Sequence, residues 1–82
     1  MPTILRLGGL RVVIYPNDHR PAHVHVIGGG GEAVFALHCP GGPPALRESS
    51  GFSQQAVGRI LDDLAVHLTA LCQRWSQIHG RF

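Results

Sequence analysis

The segment "NDHRPAHVHV", Asn17 to Val26, sets His19, His23 and His25 close together, with Asp18 and Arg20 among them. An imidazole offers a lone pair to a metal ion, and it gains or loses a proton near neutral pH. Three of them side by side therefore suit two kinds of chemistry. His19, His23 and His25 form a candidate ligand set for a divalent transition metal such as zinc, with Asp18 or Glu32 as a carboxylate that orients a ligand imidazole. Without a metal, His23 and His25 are the candidate catalytic acid and base, and Arg6, Arg11 and Arg20 are candidate grips for a phosphate or other anion. The plainer reading is a sheet face that shows polar rings to water. His67 and His79 fit that description.

These side chains need elements to position them. Thr3 to Leu7, Gly8-Gly9, then Leu10 to Tyr15 is the pattern of a β-hairpin, because paired glycines supply the positive φ of tight primed turns. That register sets Arg6 opposite Arg11 and Leu5 opposite Val12. Leu5, Leu7, Leu10, Val12 and Ile14 then share an apolar face, while Ile4, Arg6, Arg11, Val13 and Tyr15 share the other. A second hairpin runs from Ala22 to Ile27 and from Glu32 to His38 around four glycines. Pairing Ile27 with Glu32 gathers Val24, Val26, Ala33, Phe35 and Leu37 on one side, with His23, His25, Glu32 and His38 on the other. A slip of one residue would bury Glu32 and His38 among valines.

Residues 39–51, "CPGGPPALRESSG", read as a loop by composition. Ser53 is a good N-cap for a helix over 53–79, and Gly80 ends it. Val57, Ile60, Leu61, Leu64, Leu68, Leu71, Cys72, Trp75 and Ile78 repeat at helical spacing. The expected fold class is α+β: a four-stranded antiparallel meander of two hairpins, one face covered by one long amphipathic helix, all in a single domain over 1–82. Such a helix is about 39 Å long, against about 20 Å for a six-residue strand. Its second half, from Leu68 to Ile78, must meet another subunit or belong to a second helix after a break. A homodimer is the expected outcome.

With 44% apolar and 15% charged residues, the chain is suited to folding rather than disorder. The formal charge of +2 is too small to argue for nucleic acid by itself, although all seven cations are arginines. No apolar run approaches a membrane span and no leader pattern opens the chain, so a cytoplasmic location is expected. Cys39 and Cys72 form no CxxC pair. A disulfide is not expected from them, and Cys72 reads as a core residue.

"MPTI", "NDHRPAHVHV", the Gly-rich turn before "EAVF", and "GFS" heading a helix with a tryptophan near its end together resemble the bacterial domain-of-unknown-function 4160 family. Its Asp-His-x-Pro-x-His-x-His element falls on Asp18, His19, Pro21, His23 and His25, with Ala22 where members commonly have a second proline. The resemblance implies a small stand-alone protein encoded beside another short protein, in arrangements like toxin and antitoxin loci. Three functions follow as expectations. One is a toxin/antitoxin-type protein acting on nucleic acid, RNA above all, through Arg6, Arg11, Arg20, His23 and His25. Another is a metal-binding protein or small metallohydrolase built on His19, His23 and His25. The third is a non-catalytic partner or regulatory subunit of a neighbouring small protein.

Overall fold

A computed structural model describes residues 3–82. Met1 and Pro2, which open "MPTI", lie outside the described residues. The chain runs β1 (Thr3–Leu7), β2 (Leu10–Val13), β3 (His23–Gly28), β4 (Gly31–Ala36), β5 (Ala45–Ser50), α1 (Gln54–Val66) and α2 (Leu68–His79). The strands form one antiparallel sheet in sequence order. The α+β class and the meander stand, but the sheet has five strands rather than four, and two helices replace the single long one.

Both hairpins take the register that hydrophobicity selects: Leu5 pairs with Val12, Arg6 with Arg11, and Ile27 with Glu32. The glycine run makes a tight turn, in which Gly28 pairs with Gly31 and Gly29 and Gly30 have φ of 60° and 82°. Side chains at both positions would be strained, which is why a primed turn takes glycine there. Val12, Ile14, Val24, Val26, Phe35 and Leu37 meet Ile60, Leu64, Leu71 and Trp75 in one core. Ile4 departs from expectation. The register shifts between Thr3 and Leu5, and this bulge turns Ile4 onto the core beside Leu5.

The fifth strand lies inside the stretch read as a loop. Its prolines and glycines flank the strand, at residues 40–44 and at Gly51, and Ala45–Ser50 between them ladders onto β4 as an edge strand. From Leu46 onward every residue of β5 is exposed, so it has no apolar alternation to betray it. A register shift opposite Val34 and Phe35 leaves Arg47 unmatched, and a charged bulge of this kind discourages pairing with a further chain. Read across the strands, the registers set Arg6, Arg11, Ile27, Glu32 and Ser50 in one row. Thr3, Val13, His25, Val34 and Glu48 form the next.

The helical stripe is interrupted where its length demanded a break. His67 (φ −100°, ψ 11°) closes α1, and its ring Nδ1–H donates to the Asp63 carbonyl at 2.9 Å. The second half then stays on its own sheet, with Leu71, Cys72 and Trp75 buried, so no overhanging stripe needs a second subunit. Cys39, just past β4, is bonded to Cys72 on α2, correcting the expectation of two separate thiols. The bond ties α2 to the chain just past β4, a contact across 33 residues that no local pattern announces. No helix among the described residues is long and apolar enough to cross a membrane.

Ser53 caps α1 as expected, its Oγ accepting the Ala56 N–H at 3.0 Å. Ser53→Ala leaves that donor to water and is expected to cost about 1 kcal/mol, lowering the melting temperature by about 4–8 °C. A thermal melt followed by circular dichroism checks it.

Candidate metal centre

The connection from β2 to β3 is anchored on itself. Asp18 N–H donates to the Tyr15 carbonyl at 3.0 Å, and Tyr15 N–H returns a bond to Asp18 Oδ2 at 3.1 Å. This closed turn points the Asp18 carboxylate at the start of β3. There, His25 Nε2 lies 3.2 Å from Oδ2 and 3.4 Å from Oδ1, and His23 Nε2 lies 3.5 Å from Oδ2. One donor atom from each of Asp18, His23 and His25 falls within 4.8 Å of the others. The three side chains are 16%, 9% and 17% exposed, enough to shield the group without sealing it.

Hydrogen bonding assigns the nitrogens. His23 Nδ1 sits 2.9 Å from the Pro21 carbonyl, which only accepts, so Nδ1 carries the proton. In the neutral ring, Nε2 then has the lone pair, and that lone pair faces a carboxylate oxygen. Two electron-rich atoms oppose each other at this distance unless a proton or a metal cation lies between them. His25 Nδ1 is buried with no partner among the described residues, so the chain satisfies this ring from the Nε2 side alone.

Aromatic rings wall the group. His25 meets Tyr15 edge-on at 4.8 Å between centroids and His23 at 5.3 Å; His23 lies 5.2 Å from Trp75, which stacks on His79 at 4.0 Å. Trp75 Nε1–H donates to the Arg81 carbonyl, and His79 Nε2–H donates to that of Tyr15, tying the end of α2 to the β2–β3 connection. His25 stands on the face away from the core, as strand parity requires. His23 shares that parity but opens β3 at the rim, where Trp75 reaches it, and it is only 7% exposed. The expected open platform is thus a half-closed corner.

The other sequence-derived candidates spread out. His19 and Arg20 are exposed in the connection, and His19 is not one of the three converging residues. Arg6 and Arg11 are cross-strand neighbours, with Arg11 Nη1–H donating to Thr3 Oγ1 at 3.5 Å. Among the described residues no arginine forms an ion pair. His38, expected at the end of a strand, lies beyond β4 with φ of 53°, its Nδ1–H donating to the Pro43 carbonyl. Glu32 lies exposed on β4 and pairs with Ile27. Sequence reasoning gave Asp18 the role of orienting a ligand, while the structure puts its carboxylate among the donors. Trp75 and His79 were missed as parts of the corner, since their spacing from Cys72 signals only one helical face.

The fold and this corner define a small α+β protein whose sheet rim carries an aspartate–histidine cluster backed by a helix tryptophan. The chain belongs to the family described as a domain of unknown function, DUF4160, whose profile matches residues 9–76. That span takes in the whole Asp18–His25 segment and Trp75 and leaves out His79. No curated protein and no solved structure matched the chain.

Proposed function

We propose that the chain is a metal-binding protein in which Asp18, His23 and His25 hold one divalent transition ion, zinc being the best chemical match. The carrying observation is the spacing about Asp18 Oδ2, 3.2 Å and 3.5 Å from the two Nε2 atoms. Ligands about 2.0–2.1 Å from a tetrahedral ion lie about 3.3 Å apart. His23 also shows the support typical of a ligand imidazole, its second nitrogen donating to a backbone carbonyl. A zinc ion with three protein ligands supplies a Lewis acid and an acidic bound water, the chemistry of a small metallohydrolase. The chain's own part is to fix the His23 tautomer through Pro21, hold the carboxylate through Tyr15 N–H, and limit water with Tyr15 and Trp75. Action on nucleic acid draws less support, because Arg6 and Arg11 share their sheet face with Glu32 and Glu48.

Calorimetric titration of untagged protein with zinc chloride is expected to give one ion per chain. Asp18→Asn and His25→Gln are expected to weaken binding by about 100-fold or more, and His19→Ala to leave it unchanged. No binding, or binding lost in His19→Ala and kept in Asp18→Asn, overturns the reading.

A further inference from the structure

The Asp18 carboxylate is carried by a stretch that burial does not fix. Ile14 before it and Ala22 after it are buried in the core, but of residues 15–21 between them only Asp18 is not exposed. The turn's own bonds, Asp18 N–H to the Tyr15 carbonyl and Tyr15 N–H to Asp18 Oδ2, close it on itself, so they set its shape and not its place. Apart from the two candidate ligand histidines, one side chain among the described residues reaches this stretch from outside with a hydrogen bond. His79, the last residue of α2, has Nε2 3.2 Å from the Tyr15 carbonyl oxygen, across 64 residues. We propose that His79 is a positioning residue: it pins the turn to α2 and so sets where the Asp18 carboxylate meets His23 and His25.

The Tyr15 carbonyl only accepts, so Nε2 of His79 carries the proton, and the same oxygen takes the Asp18 N–H at 3.0 Å. A carbonyl oxygen has two lone pairs, and here one serves the turn while the other serves the helix. A single atom thus joins the amide of the carboxylate residue to the end of α2. The His79 ring is itself held. It stacks on Trp75 at 4.0 Å between centroids and 27° between planes, and Gly80, with φ of 86°, ends the helix directly after it by donating its N–H to the Ser76 carbonyl. Trp75 in turn lies against His23. Asp18 on the connection and His23 on β3 therefore take their spacing from one helix end. Ligand groups must keep their geometry to about 0.5 Å, so a turn free to swing by about 1 Å forfeits affinity.

The effect on an ion rests on the metal-binding reading, and the test separates the two. His79→Phe keeps a ring against Trp75 and removes the donor, whereas His79→Gln removes the ring and keeps an N–H at nearly the same reach. In metal-free protein, NMR relaxation of the Tyr15 and Asp18 amides is expected to give order parameters near the rigid value of about 0.85 in the parent and in His79→Gln. In His79→Phe they are expected to fall toward the flexible range below about 0.6, while the β3 amides keep the parent values. A general loss of stability would not single out the connection in this way. Calorimetric titration with zinc chloride is expected to show affinity about fivefold weaker in His79→Phe, the factor that one net hydrogen bond supplies, and within about twofold of the parent in His79→Gln. Circular dichroism verifies that each variant is folded; if His79→Phe is not, His79→Leu, which also lacks the donor, takes its place. Parent-like order parameters or parent-like zinc affinity in His79→Phe overturns the proposal, and so does a glutamine variant as loose as the phenylalanine one. A parent that binds no zinc overturns the metal reading alone, and the order parameters of the metal-free chain then decide the role of His79.

Discussion

Replacing Cys39 and Cys72 together with alanine is expected to lower the melting temperature by about 15–25 °C. The bond closes a loop of 33 residues, for which chain-entropy arguments give about 3–4 kcal/mol of stabilisation. In a domain this short each kcal/mol shifts the midpoint by about 4–8 °C. The cost is large because an 82-residue chain buries only roughly 60% of its unfolded surface and has little else in reserve. The effect should reach the candidate metal centre as well. Cys72 lies one helical turn before Trp75, and a looser α2 withdraws the wall from His23. Melts of oxidised parent and double variant, with zinc titrations of both, give the measurement. Equal melting temperatures would mean that the bridge constrains nothing the packing does not already hold.

What the sequence disclosed and what it hid divide along one physical line. Strand parity is legible because burying one face makes a one-residue slip costly: shifting Ile27 off Glu32 by one residue would put Glu32 among the valines. Ser53 and Gly80 were legible because helix ends need particular local chemistry, an oxygen for a free N–H and a residue tolerant of positive φ. The hidden features depend on contacts between distant segments or on one side chain's choice. β5 is held by its backbone ladder to β4 and buries almost no side chain. The break at His67 falls where the stripe has no glycine or proline to mark it, and there the ring bonds the Asp63 carbonyl. Asp18 displaced His19 from the cluster for a similar reason. Which neighbour in the connection turns inward is decided by the paired bonds between Tyr15 and Asp18, and neither residue's type announces them.

Trp75→Ala is expected to cost about 3–5 kcal/mol, the usual range for removing a fully buried tryptophan. Trp75 is 0% exposed and sits where core, candidate centre and chain end meet. Its ring lies against His23 and His79, and its N–H donates to the Arg81 carbonyl at 2.8 Å. Loss of the ring opens a cavity under α2, frees His79 from its stack, and lets water reach His23 from the helix side. For a domain whose whole stability is about 5–15 kcal/mol, that approaches unfolding. Trp75→Phe separates packing from hydrogen bonding, since it keeps an aromatic wall and gives up only the N–H to Arg81. Its expected cost is about 1–2 kcal/mol. Urea denaturation of the three proteins ranks them, and zinc titration of the phenylalanine variant supplies the sharper result. Affinity close to that of the parent shows that the wall acts on His23 by excluding water. A drop as large as that expected for Asp18→Asn would mean instead that the tie from Trp75 to the chain end holds the ligands in place.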